Sequence, residues 1–147
     1  MSANPGDQIK TFALGSCVAV LMFDTKRNIA GMLHFALPDS SIDAKRGQDR
    51  PGYFADLGIP FMIEDMKKMG AVRQNVRIKL VGGASVMDDK GLFDIGKRNI
   101  LAAKKILWKS SLGATAEDTG GEISRTVTLF VETGGTLISS GQRQWEI

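Results

Sequence analysis

The sequence predicts an α+β fold: one layered domain spanning residues 1–147, with two main helices packed on a mixed, mainly antiparallel sheet. Three observations carry that reading. Apolar runs of strand character gather at the beginning and the end of the chain, and two amphipathic helical patterns with a strand between them occupy the middle. The resulting order of strands, helix, strand, helix, strands excludes a purely alternating βαβ chain and fits helices packed on a mixed sheet. At 147 residues, 43% apolar and 24% charged, the chain has the size and composition of one globular domain.

Each element has its own signal. Ile9 to Leu14 reads as a short strand ended by Gly15-Ser16. "CVAVLMFD" and "IAGMLHFAL" flank the polar turn Asp24 to Asn28 and read as a β-hairpin, apolar on both faces and so expected to be covered on both. Asp39 to Gly52 has no apolar period and is expected to be a long exposed loop, of the kind that often serves as a lid. Ile59, Met62, Ile63 and Met66 then recur at helical spacing, with Pro60 near the start of the helix and Gly70 past its end. The methionines Met62, Met66 and Met69 suit core filling better than an adaptable docking surface. Val76 to Val81 reads as a strand ending in Gly82-Gly83, where backbone can approach another group closely. A second amphipathic helix covers about Lys97 to Lys109. Ala114 to Glu117, Thr126 to Val131 and Thr136 to Ser139 read as strands separated by Gly120-Gly121 and Gly134-Gly135.

Composition narrows the function. The net charge of +3 is scattered among acids, without a basic run interleaved with aromatics, so nucleic acid is not an expected partner. "MSANPGDQIK" has no leader pattern and the longest apolar run, Cys17 to Phe23, is too short to span a bilayer, so a soluble, cytoplasmic protein without membrane insertion is expected. A single cysteine agrees with a reducing compartment and leaves a thiol to be explained. "GLFDIGKR", Gly91 to Arg98, nearly matches a phosphate-binding loop but has Arg98 where a Ser or Thr must hold magnesium, and reads instead as a helix cap. Asp88, Asp89 and Asp94 lack calcium-loop spacing, and one His with one Cys argues against zinc; no metal or cofactor is expected.

The only cysteine and the only histidine lie on the two arms of the hairpin. If the turn is centred on Thr25 and Lys26, Cys17 and His34 face each other with Cβ atoms roughly 4.5–5.5 Å apart. A turn centred one residue later makes them diagonal neighbours, and a half-residue shift puts them on opposite faces. Paired, the imidazole could activate the thiol and later protonate a leaving amine. Thr11 could hydrogen-bond the other ring nitrogen, and N–H groups around Gly15, Ser16 and Cys17 could hold an oxyanion. Gly82, Gly83 and the Asp39 to Gly52 loop are weaker candidates for substrate contact. The bland alternative is an inert core cysteine and a structural histidine.

Several blocks in order, "TFALGSCVAV", "AGMLHFALP", "KLVGGASVM", "IGKRNI", "AEDTGG" and "VETGGTL", cover the chain from Thr11 to Ile138. In these the sequence resembles the CheD family, the chemoreceptor glutamine deamidases of bacterial and archaeal chemotaxis. The resemblance places the family's catalytic threonine, cysteine and histidine on Thr11, Cys17 and His34. It implies hydrolysis of glutamine side-chain amides on methyl-accepting chemotaxis receptors to glutamate and ammonia, and in some members of glutamyl methyl esters. It also implies a CheC-type phosphatase as partner, and a fold similar to toxins that deamidate a glutamine of Rho GTPases. The rival reading is a non-catalytic adaptor that binds receptors or such a phosphatase. Only ten residues precede Thr11, so an early edge strand is expected to be shortened or absent.

Overall fold

The computed structural model of the chain describes residues 1–86 and 94–147. In chain order the strands are β1 (Gln8–Leu14), β2 (Val18–Asp24), β3 (Ile29–Phe35), β4 (Val76–Gly82), β5 (Ala116–Thr119), β6 (Arg125–Phe130), β7 (Thr136–Ser140) and β8 (Arg143–Glu146). The helices are α1 (Ala44–Asp49), α2 (Ala55–Lys68) and α3 (Ile95–Lys109). The strands form two sheets of four, ordered β3-β2-β4-β5 and β1-β6-β7-β8. Every pairing is antiparallel except β4 with β5.

The layered α+β class holds, with the strands divided between two sheets. β2 shows why. All seven of its residues are buried, so both of its faces need cover. Val18, Val20 and Met22 face the helices, against Ile59, Met62 and Met66 of α2 and Ala103 and Leu107 of α3. Ala19, Leu21 and Phe23 face the other way, against Leu14, Val127, Leu129 and Ile138 of the second sheet. Helices on one side leave the second face bare, and the strands at the two ends of the chain close it. Full burial of a Leu, Ile or Met side chain is worth about 1.5–3 kcal/mol, so both clusters contribute substantially.

The helix boundaries follow packing more than local propensity. α2 begins at Ala55, so Pro60 lies in its second turn, on the solvent side, where the missing N–H interrupts one helical bond. The helix tolerates this because Ala55, Gly58, Ile59, Met62 and Met66 are buried along its other face. Gly58 is small for a reason: a Cβ there would stand 2.9 Å from a methyl of Leu33, so any side chain would lift α2 off β3.

Two polar clusters fasten the layers. At one end of β2 the buried Asp24 carboxylate accepts N–H groups from Lys26 (2.9 Å), Arg27 (3.0 Å) and Val72 (2.7 Å). At the edge where the sheets meet, Arg125 donates to Asp118 from Nε and Nη2 (3.0 and 2.8 Å), and Trp145 Nε1 donates to the same carboxylate at 2.6 Å. β5 of one sheet is thereby tied to β6 and β8 of the other. β8 and α1 have no counterpart among the elements read from sequence. At the N-terminus Ser2 exchanges two backbone hydrogen bonds with Ala30, a single bridge beside β3.

Candidate active site

The hairpin register decides whether Cys17 and His34 can cooperate. Ala19 pairs with His34 and Val18 with Phe35, so the ladder continues with Cys17 opposite Ala36. The turn is therefore centred one residue beyond Thr25-Lys26, and His34 is the diagonal rather than the direct neighbour of Cys17. The cause is the loop itself. Asp24 holds Lys26 and Arg27 through their N–H groups, and Asn28 adopts a left-handed conformation (φ 52°) with its N–H on the Asp24 carbonyl. Every second residue of a strand shares a face with its cross-strand partner, so Cys17, Ala19 and His34 all lie on the side of the second sheet. A diagonal pair on one face is within reach of an imidazole.

Thr11 arrives from that second sheet. Its Oγ1 lies 2.8 Å from His34 Nδ1. β1 pairs with β6 in register up to Thr11↔Val127 and then slips before Leu14↔Arg125. In the resulting bulge Ala13 is left-handed (φ 50°) and its N–H donates to Thr126 Oγ1 at 3.2 Å. Such a bulge bends the strand and re-aims side chains, here at the point where the chain must leave β1 for Cys17.

The backbone from Gly15 to Cys17 is held at three successive carbonyls. Gly15 accepts from Ala84 N–H (2.8 Å), Ser16 from Asn99 Nδ2 (2.9 Å) and Cys17 from Gly83 N–H (2.7 Å). Gly82 and Gly83 are left-handed (φ 109° and 68°), and a Cβ on Gly82 would run into the Cys17 carbonyl oxygen. The pair thus stands behind Cys17, and the Gly83 N–H donates to the Cys17 carbonyl itself. Ser16 is exposed, Gly15 and Cys17 half-buried.

Burial pushes the Cys17 thiol up from its ordinary value, although its own backbone N–H partly offsets this by favouring the thiolate. Burial also pushes the His34 imidazole down. Both shifts favour the neutral forms.

The Asp39 to Gly52 segment is exposed but carries structure of its own. Asp39 accepts the Ser41 N–H (2.8 Å) and Asp43 that of Arg46 (3.0 Å), capping a single 3₁₀ turn and α1. Ser40 anchors it to α2 through Asp56, with N–H at 3.0 Å and hydroxyl at 2.7 Å. The Arg46 guanidinium stacks 5.1 Å above the Tyr53 ring. Met87, Asp88, Asp89 and the first residues of the Gly91 to Arg98 motif lie outside the described residues; Asp94 occupies the N-cap position of α3 in a left-handed conformation.

One residue of this region was not singled out from sequence. Asn99, fully buried on α3, donates both hydrogens of its Nδ2, to the Ser16 carbonyl and to the Ala36 carbonyl, each at 2.9 Å. Its signal was a polar residue in the buried series Gly96, Asn99, Ala103, Leu107.

The family profile described as "CheD chemotactic sensory transduction" matches residues 36–140. Relatives extend the likeness across the N-terminal strands. A protein of Syntrophotalea carbinolica named "Probable chemoreceptor glutamine deamidase CheD" is 50% identical over 150 residues, covering 100% of this chain and 93% of its own. "Probable chemoreceptor glutamine deamidase CheD 1" of Syntrophus aciditrophicus is 43% identical over 140 residues, covering 95% of this chain and 88% of its own. "Chemoreceptor glutamine deamidase CheD" of Thermotoga maritima is 42% identical over 146 residues, covering 98% and 89%. With a profile match over most of its length and full-length relatives at this identity, the chain belongs to the CheD family.

Proposed function

We infer that the protein is a chemoreceptor glutamine deamidase acting through Cys17, His34 and Thr11. The observation that carries this reading is the Thr11 Oγ1 to His34 Nδ1 contact of 2.8 Å, made on the face that Cys17 shares. If Nδ1 donates its hydrogen to Thr11, the lone pair of Nε2 is left to take the thiol proton. Sulfur then attacks the glutamine carboxamide carbon, forming the C–S bond while the carbonyl oxygen takes negative charge. N–H groups of the Gly15 to Cys17 turn stabilise that oxyanion. As the oxyanion collapses, the C–N bond breaks and the imidazolium gives its proton to nitrogen, releasing ammonia. Water next loses a proton to His34 and attacks the thioester. The C–S bond breaks, the thiol regains its proton and glutamate departs.

The substrates are glutamine side chains of the cytoplasmic domains of methyl-accepting chemotaxis receptors, in keeping with the names that the relatives carry. Glutamyl methyl esters would pass through the same thioester, with methanol leaving in place of ammonia. A CheC-type phosphatase is the proposed regulatory partner, on the strength of the family resemblance alone. Mass spectrometry of cognate receptor domains tests the reading: wild type produces the mass gain of an amide converted to an acid at particular glutamines, and Cys17→Ala produces none while still binding. A wild type that binds receptors without any such gain would make the protein an adaptor.

A further inference from the structure

Asn99 presents a buried polar side chain whose use is one-sided. Its two N–H bonds end on carbonyls of separate segments, Ser16 just before Cys17 and Ala36 just past the last ladder pair, Val18 with Phe35. The orientation of the amide is fixed by those partners, since a flipped side chain would set its own oxygen against two carbonyl oxygens. Oδ1 is buried and has no hydrogen-bond partner among the described residues. A helix position with no task other than packing would be better filled by leucine, which leaves no orphaned acceptor.

The geometry of the peptide bond gives the arrangement its purpose. The Ser16–Cys17 bond is trans, so its carbonyl and its N–H point in opposite directions. Asn99 draws the carbonyl toward α3 and thereby turns the N–H of Cys17 away from the helix. We propose that Asn99 is a positioning residue that locks the Ser16–Cys17 peptide so that the Cys17 N–H remains on the sulfur side as the oxyanion donor. Cys17 packs against the second sheet, on the side away from α3, so the N–H turned from the helix lies on that same side. The Ala36 bond adds a second constraint: it holds the strand that carries His34 at a fixed height relative to the same peptide. One carboxamide thus sets both the donor and the spacing between nucleophile and base.

The kinetic consequence rests on the deamidase reading; the consequence for the thiol does not. Asn99→Leu keeps the volume and removes the donor, and Asn99→Ala removes both. In the folded variants kcat for receptor glutamine falls by about 10²-fold or more while KM stays within about threefold, as expected when a donor made effective only in the transition state is lost. Alkylation of Cys17 by iodoacetamide at neutral pH slows by about threefold or more, because the thiolate loses its N–H. An Asn99→Leu protein with kcat within about threefold of wild type, or with an unchanged alkylation rate, overturns the proposal. Should neither variant fold, NMR of the wild type decides: the Asn99 side-chain hydrogens exchange slowly, and the Cys17 amide resonance shifts when its sulfur is alkylated. Fast exchange, or an amide indifferent to alkylation, overturns it too. A wild type inert toward receptor glutamines would count against the deamidase reading and leave the alkylation arm intact.

Discussion

The two ends of β2 handle polar groups in opposite ways. At the Asp24 end a buried carboxylate is matched by three N–H donors, and the turn that follows has a donor for each demand. At the Cys17 end the carbonyls of Gly15, Ser16 and Cys17 are held, yet a thiol and an imidazole lie in reach of solvent and a buried Asn99 oxygen is unmatched among the described residues. The contrast teaches a division of labour. One end of the strand is completed so that the register cannot slip, and the other is left chemically incomplete because the register is secure. A slip by a single residue at the turn would send His34 to the helical face, away from Thr11.

The comparison breaks most sharply at its stable end. Asp24→Ala leaves buried N–H groups unmatched and is expected to destabilise the fold by about 2–4 kcal/mol, read as a lowered denaturation midpoint in urea; Asp24→Asn costs less. Burial alone would raise the Asp24 carboxyl, but its N–H donors outweigh that and hold it below its ordinary value of 3.8. Its contribution is therefore complete above that value and is lost as pH falls through the lower, folded-state pKa. Acid unfolding that sets in at the same pH in wild type and Asp24→Asn would contradict this.

At the reactive end, Thr11→Val is isosteric and removes the partner of His34 Nδ1. A loss in kcat of about 10²-fold is expected, with a melting temperature close to that of wild type. The pH profile sharpens the comparison further. In the proposed mechanism His34 must be neutral to accept the thiol proton, and partial burial holds its pKa below 6.5, so the acid limb of kcat/KM is expected below pH 6.5. A limb above that value would mean that His34 is held protonated, against the direction its burial gives it. The smallest effect belongs to Ala13. Glycine there relieves a left-handed alanine and is expected to stabilise by up to about 1 kcal/mol, visible as a modest rise in melting temperature.

Much of this architecture was legible in the sequence because it rests on periodicity. The hairpin arms, α2, β4 and α3 each declare themselves through the spacing of apolar residues, and the paired thiol and imidazole follow once the hairpin is recognised. The register was open between adjacent centres because it depends on the Asp24 side chain and on Asn28 accepting a left-handed backbone, which spacing does not encode. The division into two sheets was hidden for a similar reason: alternation in Thr126 to Val131 says that one face is buried, without saying against what. β8 reads "RQWE" and lacks an apolar period, its place being set by pairing with β7 and by the Trp145 bond to Asp118. Asn99 escaped notice because its partners are carbonyls, which have no letter in a sequence.

The burial that favours the protonated thiol of Cys17 also bears on its exposure to oxidants. Peroxide attacks thiolates far faster than thiols, so a sulfur kept protonated until substrate arrives is a poor target for sulfenic acid formation. In the proposed mechanism the thiolate forms only with the proton transfer that begins each turnover, so the burial that disfavours ionisation would shelter the sulfur between turnovers.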